Sequence, residues 1–577
     1  MLFVKTLIGL IPSSIRLTLK KNAKLADFYS RILQRSGLFY GFPSPKKLQA
    51  HYAKLVNKQT QEINEIVRLV DQGKSFDVFL IVTESTTSTL ATIISLASNQ
   101  SIREIFLVGD SQPISLVLDS LQEGNYAEQV KVLNSYNFET KEVVLLLRSG
   151  DYIHQNLMHI YLDKLSADLA DNTMIYCDCD YLDKDGIRHK AELLPDWNPD
   201  LQLSSGYIKT AVGLSGKEII SDFIRFSHKQ QPENLIPKWV ASVYLNKIDV
   251  VIEHIAFTLL HQSLGPQVDW NLGISDINRD DGFSILKQSY VGVVSLQWNV
   301  STNPLVSLII PTKNAWELVE KCIDSILTKT TYKHFEILLI DNNSDELASL
   351  KYFEELNNHP QIKVLKYPYG FNYSAINNFA VEHANGEVIA LVNNDVEVIS
   401  ADWLLYMLGH VLREDVGCVG AKLLYPDGRI QHAGVVMGYG GGAGHAHKYF
   451  PRYHPGYMNR LVATQNYSAV TAACLLVMKQ DYLDVAGLDE CNLKVAFNDV
   501  DFCLNVLQLG RRNVYCAEAE LFHHESVSRG HDHSEEKRMR FEKELHFIQS
   551  RWATYIDKDP AYNVNLTLRR ENFSIRE

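Results

Sequence analysis

Residues Val306–Asp345 read VSLIIPTKNAWELVEKCIDSILTKTTYKHFEILLIDNNSD, and ALVNNDVEV follows at 390–398. Val306–Ile310 and Glu336–Ile340 are apolar runs of strand length. Between them Val319, Cys322, Ile323 and Ile326 recur at i, i+3, i+4 and i+7, the face of an amphipathic helix. Val388–Val392 is a third apolar run, closed by Asn393-Asn394-Asp395. Alternating strands and helices predict a mainly parallel sheet covered by helices on both faces. Such sheets bind ligands beyond the carboxyl ends of their strands. The acidic and amide groups gathered there predict a cleft for a nucleotide-linked substrate and a divalent metal.

The same alternation occurs once before. Strands are predicted at Asp77–Val82, Glu104–Val108 and Val143–Leu147, and another begins at Ile175-Tyr176. Thr89–Ala97 is predicted helical. VFLIVTES (78–85) lines up with VSLIIPTK (306–313), REIFLVGD (103–110) with FEILLIDN (335–342), and LRSGDYI (147–153) with VNNDVEV (392–398). YLDKDGIRHKAE (181–192) lines up with LLYPDGRIQHAG (423–434). The order is kept, so the chain reads as an internal repeat. Gly109 stands opposite Asp341 and Gly150 opposite Asp395; Asp110 and Asp151 lie one residue further on. A one-residue slip at a strand end redirects a side chain to the other face. The first copy is therefore expected to be degenerate and non-catalytic, with a second, altered site at Asp110 and Asp151 as the rival reading.

Around this pair the chain divides into a basic helical arm over 1–75, a first copy over 76–264, a connection over 265–304 and a second copy over 305–577. The connection is expected to hold a strand at Val291–Leu296. The arm's apolar face is marked by Leu55, Ile63, Ile66, Val67 and Val70, with a helix end near Gly73. A chain of 577 residues is too long for one domain. Its 46% hydrophobic and 21% charged residues are ordinary for a globular protein.

The net charge of -12 is uneven, because residues 1–60 carry eleven Lys and Arg and one acid, Asp27. Such an arm can lie on anionic lipid headgroups or pack, solvated, on the acidic body. Nucleic acid is not an expected partner. Met1–Pro12 is apolar but too short to span a bilayer, and no signal-peptide cleavage site follows it. The eight cysteines are scattered, and Cys177-x-Cys179 without a second pair is a poor zinc signal. A reducing cytoplasm, with peripheral contact to the membrane's inner face, is the expected location.

From Val306 to about Gly530 the chain resembles the family 2 glycosyltransferases of GT-A fold, and among them bacterial enzymes of O-antigen and rhamnose-containing polysaccharide synthesis. The segments that carry the resemblance are VSLIIPTKN, ILLIDNNSD, FNYSAINNFA, ALVNNDVEVI, VGAKLLYPDGRIQHAGVV, GLDE, AFNDVDFCL and AELFHHESVSRG. IYCDCDYLDKDG and PDWNPDLQLSSGYI carry a weaker one in the first half. The resemblance implies two α/β, Rossmann-like GT-A domains in tandem behind a helical arm. It implies inverting transfer from a UDP- or dTDP-sugar to a lipid-linked or protein-linked glycan. A glycan-binding scaffold and a bifunctional transferase remain as alternatives.

The resemblance, read with physical chemistry, implies the roles. A departing nucleoside diphosphate gains negative charge, which a divalent ion such as Mn²⁺ or Mg²⁺ offsets as a Lewis acid. Asp395 is the expected ligand. Where the family has an Asp-x-Asp element, Asn393-Asn394-Asp395 stands here, so Asn393 and Asn394 are assigned to the donor rather than the ion. The family's histidine that completes the metal site falls on His523 or His524. A strand sends only one of the two toward the cleft, and His523 has the better spacing to Ser528. Pro311, Thr312, Asn314 and Asp341 are expected around the nucleoside, with Asp341 accepting the imide N–H of uracil or thymine; the alternative for Asp341 is turn capping. Asn372 and Asn377 contact nucleotide or sugar, or cap local turns. Asp499, ahead of the apolar face Val500, Cys503, Leu504 and Leu507, is the expected base, with helix N-capping as its alternative. Asp501 reads as structural. By resemblance alone, Asp489 of GLDE lies near the acceptor. The glycine-rich stretch 434–444, flanked by His432, His445 and His447, reads as a mobile loop over donor or acceptor.

Overall fold

A computed structural model describes residues 45–577 apart from 69–74, 84, 122–125, 127, 134–142, 166–171, 184, 264–269, 278–281, 287–289 and 525–534. The arm before residue 45, Val70, Gly73, Ser528, His531 and His533 lie outside the described residues. A helix at Pro45–Val67 is the part of the arm that is described. No helix among the described residues is long and apolar enough to cross a membrane.

The first half builds β1 (Phe76–Ile81), β2 (Ile102–Val108), β3 (Val130–Val132), β4 (Val143–Arg148), β5 (Tyr152–Ile153), β6 (Thr173–Leu182), β7 (Arg188–Glu192), β8 (Val212–Ser215) and β9 (Val251–Ser263). They form one sheet in the order β3-β2-β1-β4-β8-β6-β9-β5, with β7 on β6. β1 through β4 run parallel, and β8 lies antiparallel between β4 and β6. All six residues of β1 are buried, as in a parallel strand covered on both faces.

Between the halves, β10 (Phe283–Ile285) and β11 (Leu296–Trp298) form a two-stranded antiparallel ribbon. A strand was expected at Val291–Leu296, but only Leu296 belongs to one. Gly292 has φ +75°, a turn conformation, and Val291 is exposed. Pairing with β10 sets the strand at Leu296–Trp298 instead, where Trp298 meets the Phe283 ring at 5.0 Å.

The second half adds β12 (Val306–Thr312), β13 (Phe335–Asp341), β14 (Ile362–Lys366), β15 (Val388–Val392), β16 (Val396–Val398), β17 (Val416–Leu424), β18 (Ile430–His432), β19 (Val435–Met437), β20 (Ala443–His445), β21 (Gln465–Tyr467), β22 (Cys474–Met478) and β23 (Arg512–His523). Its large sheet runs β14-β13-β12-β15-β22-β17-β23-β16, with β18 on β17 and β21 on β23. Strand for strand this is the order of the first sheet. The sequence repeat is thus matched by a repeat of topology, two curled mixed α/β sheets in tandem.

The two halves share a core. Tyr52 and Leu55 of the first helix and Leu193 pack in one cluster with Leu424, Phe450, Tyr562 and Phe573. Asn198 caps the helix Pro199–Ser205 and accepts from Asn466 N at 2.9 Å, while its amide donates to Asn466 O at 2.8 Å. Asp200, fully buried, takes Arg413 at 2.7 Å and Arg512 at 3.6 Å from the second half. Residues 558–577 form a strap over both. Asp559 accepts from Met437 N at 2.7 Å. Four residues on, Asn563 donates to Asp178 at 2.9 and 3.0 Å and to Leu194 O at 2.8 Å.

Candidate functional site

The carboxyl ends of β12, β13 and β15 open on one side of the second sheet. A cleft of about 170 Å³ beside the end of β15 is lined by Tyr373, Asn393, Gln431, His445, Lys448, Thr471, Asp499 and His523, among others. Asp499, at the start of the helix Asn498–Gln508, and His523, at the end of β23, thus face one space.

Asp499 stands in the first turn of the helix Asn498–Gln508. The cap position falls to Phe497, in the left-handed region at φ +60°, so Asp499 is not the N-cap. Its Oδ2 accepts from Thr471 Oγ1 at 3.0 Å and Ala472 N at 3.1 Å, and its Oδ1 from Val500 N at 2.9 Å. Burial raises its pKa above the ordinary carboxylate value, and these hydrogen bonds only partly offset that. A carboxylate so held is a stronger base than one in water. Asp501 points away and accepts from Trp552 Nε1 at 2.7 Å.

Asp395 precedes β16, whose first residue, Val396, pairs with His523 on β23. His523 Nε2 lies 3.1 Å from Asp395 Oδ1. On the far side of the ring, Nδ1 is 2.7 Å from Gln431 Oε1. An amide oxygen only accepts, so Gln431 keeps the proton on Nδ1 and leaves Nε2 bare toward Asp395. Asn393 donates its amide to the same Nε2 at 3.1 Å. An octahedral ion with bonds of about 2.1 Å separates neighbouring ligands by about 3.0 Å. The Asp395–His523 pair therefore fits one edge of a Mg²⁺ or Mn²⁺ site. Among the described residues no group of three or more His, Cys, Asp or Glu could hold a metal ion. The other ligand positions would fall to water and substrate oxygens.

His524 does not join this pair. Its Nε2 lies 3.1 Å from Glu397, which Lys321 also holds at 2.8 Å, so the expectation of His524 as a metal ligand is not met by its placement. Alternation along β23 is the cause: neighbouring side chains face opposite sides.

The donor residues separate similarly. Thr312 accepts from the amide of Asn394 at 3.0 Å, tying the ends of β12 and β15 together. Pro311 pairs with Ile340 in the sheet. Asp341 Oδ1 accepts from Ser344 N at 2.9 Å, so one oxygen caps the turn. Asn314 is consumed by the same loop: its amide donates to Asp345 at 2.7 Å and its oxygen accepts from Asp345 N and Glu346 N. Asn372 caps the helix Tyr373–Glu382 and donates to Glu490 O at 2.9 Å. Asn377 is wholly buried and donates to Tyr373 O at 2.7 Å. Asp489 accepts from Cys491 N and Asn492 N, a turn cap. Asn314, Asn372, Asn377 and Asp489 were expected at substrate. Local backbone donors and acceptors use them instead, the ordinary role of Asn and Asp in turns.

Sequence reasoning missed Gln431, Thr471, Tyr373 and Lys448 as cleft residues. The glycine-rich stretch was read as a mobile loop, but β19 and β20 pair as a hairpin, and His447 stacks on Phe573 at 4.4 Å. No single-residue signal distinguishes these; the QHAG segment of the quoted motifs was the available hint.

In the first half Asp151 directly precedes β5, whose first residue, Tyr152, pairs with His261 on β9. Strand pairing thus sets Asp151, rather than Gly150, in the place of Asp395. Arg148 binds it at 2.9 and 3.1 Å. His261 Nδ1 is drawn 2.6 Å from Asp180, which also takes the Tyr52 hydroxyl and Arg188. A guanidinium here occupies the charge that a cation would otherwise balance.

Residues 307–481 match Glycosyl transferase family 2. An uncharacterized protein of Sinorhizobium fredii, y4gI, is 39% identical over 454 residues, covering 74% of this chain and 49% of that protein. The O-antigen biosynthesis protein RfbC of Myxococcus xanthus is 31% identical over 423 residues, covering 70% of this chain and 32% of that protein. The chain spans about half or less of these relatives' lengths. A mannosyltransferase from Pyrobaculum calidifontis, solved with GDP-Man and Mn²⁺, matches at 15% identity and a TM-score of 0.33, over 44% of this chain and 65% of that one. That likeness is too distant to assign any residue a role.

Proposed function

We propose that this chain, which carries a glycosyl transferase family 2 domain over residues 307–481, moves a sugar from a nucleotide-diphosphate donor to a glycan acceptor with inversion at the anomeric carbon. The observation that carries the reading is one cleft lined by both Asp499 and His523, with Asp395 3.1 Å from His523 Nε2.

Asp499 takes the proton of the acceptor hydroxyl as its oxygen attacks, so the base and the departing group lie on opposite sides of the sugar carbon. Thr471 and the amides of Ala472 and Val500 fix that carboxylate in place. Asp395 and His523 are the residues that would hold a divalent ion, and Gln431 keeps His523 in the ligating tautomer. Bound there, the ion supplies a positive charge against which the diphosphate can leave. The second oxygen of Asp341 is the acceptor offered to a uracil or thymine imide, which favours a UDP- or dTDP-sugar. The amide of Asn394 holds Thr312, the register partner of Asp341, at 3.0 Å.

Arg148, seated on Asp151, supports a first half without transfer chemistry of its own. Residues 1–60 would add contact to an anionic membrane, where a lipid-linked acceptor resides. Retained binding of anionic vesicles after their deletion would refute that contact.

The test is a screen of nucleotide sugars for metal-dependent release of free nucleotide. Asp395→Ala should abolish transfer, and Asp499→Asn should lower it about 10²- to 10⁴-fold while leaving donor binding intact. Unchanged turnover in both would sink the single-site reading. Loss of turnover in a folded Asp151→Ala protein would point to two working sites.

A further inference from the structure

β18 places Gln431 and His432 side by side, and each sets the tautomer of a histidine. Gln431 acts on His523. His432 acts on His445, which lines the cleft beside Lys448. The backbone N–H of Gly434 donates to His432 Nε2 at 3.3 Å. Only a bare ring nitrogen accepts, so a neutral His432 carries its proton on Nδ1. That nitrogen lies 3.0 Å from Nδ1 of His445. His432 is then the donor, Nδ1 of His445 is bare, and the proton of His445 sits on Nε2. A second proton on either ring would set two N–H groups head to head. Burial opposes it as well: the His432 pKa is pushed down to about 3, and that of His445 falls well below its ordinary value.

We propose that His445 is a specificity-determining hydrogen-bond donor of the transfer site, whose Nε2–H, fixed by the Gly434–His432 relay, binds an oxygen of the donor's diphosphate beside the Lys448 ammonium. This rests on the transferase reading above. A neutral donor next to a cation suits a phosphate oxygen: the ammonium supplies charge and the imidazole direction. A neutral ring also adds no repulsion toward an ion held at His523. His432 touches no substrate and is a positioning residue.

The test uses the full chain and calorimetric titration of UDP and dTDP with Mn²⁺ present, alongside uridine and thymidine as competitors. His445→Ala should weaken diphosphate binding about tenfold, the scale of one hydrogen bond to a charged group. Nucleoside competition should stay unchanged. His445→Gln, which keeps an N–H, should retain most of the affinity and guards against a folding defect in the alanine variant. His432→Phe should match His445→Ala, whereas His432→Gln, whose amide both accepts and donates, should restore binding. If His445→Ala binds the diphosphate as the parent does, the proposal is overturned. If the variant instead raises only the KM for the intact nucleotide sugar, the contact is to a sugar hydroxyl and the diphosphate assignment fails. A parent protein that binds neither diphosphate refutes the transferase reading itself.

Discussion

At the scale of single residues, the cleft shows how burial tunes a base. Asp499 has a pKa raised by burial, so it is protonated at pH values where a free carboxylate, near 3.9, is already ionised. Activity that needs the charged form should therefore rise with pH along a limb displaced above that value. Asp499→Asn should lose about 10²- to 10⁴-fold in kcat, the usual worth of a general base. It should also lose the limb, which a pH–rate profile of parent and variant would reveal. Asp499 and His523 were picked out in the sequence because one opens and the other closes an apolar pattern that fixes its place. Asn314, Asn372, Asn377 and Asp489, expected at substrate, make local hydrogen bonds for a physical reason. An amide or carboxylate that caps a turn and one that binds a ligand look alike until the neighbouring N–H groups are located. His524 was left undecided by the sequence, and the alternation of β23 turned it toward Glu397.

At the scale of elements, the helix Glu535–Arg551 acts as a clamp on the loop before the proposed base, Asp499. Glu544, buried to 2% exposure, accepts from Val495 N at 3.1 Å and Ala496 N at 3.0 Å, just before Asn498 and Asp499. Phe497, at φ +60°, bends the chain between the clamped peptides and the helix that carries the base. Glu544→Ala should destabilise the protein by about 1–3 kcal/mol, because two N–H groups lose a charged acceptor. It should lower kcat more than it raises KM for donor, and steady-state kinetics with thermal unfolding checks both. Elements buried on both faces were the easiest to read: β12, β13 and β15 are continuous apolar runs whose ends are set by polar residues. β11 was placed too early because Val291 to Leu296 has strand-forming residues but no partner. Only the long-range pairing with Phe283 decides which of its neighbours joins a sheet.

At the scale of the whole molecule, the halves are joined by buried charge rather than by a linker alone. Burial works against the charge of Asp200, yet Arg413 and Arg512 hold its carboxyl far below the usual carboxylate range. A depressed carboxylate contributes stability above its unfolded pKa of about 3.9 and loses it as pH falls through the folded value. This contact should thus persist through mild acid and fail only in strong acid. Asp200→Ala leaves two arginines without their shared partner and should cost about 3–5 kcal/mol. Denaturant unfolding would measure it, and a cost near zero would mean the halves do not depend on this contact. The repeat that underlies the two sheets was visible in four aligned segments. The seam between them was not, since Asn198 and Asp200 lie far along the chain from Asn466 and Arg413, and nothing in the PDWNPDLQLSSGYI segment points to those partners.

The strap over 558–577 also sets a timetable. Ser263 ends the last strand of the first sheet, and Asn563, which binds Asp178 within that sheet, is about 300 residues further along the chain. At about 5–20 residues per second on the ribosome, the first sheet waits roughly 15–60 s for that partner. During this interval the hydrogen bonds that Asn563 gives to Asp178 and the Leu194 carbonyl are missing, while Asp178 keeps Leu194 N at 2.7 Å and His254 at 2.8 Å from its own half, and the emerging sheet is open to chaperones and to neighbouring copies of itself. The order of synthesis, as much as the final packing, makes the first half the vulnerable one.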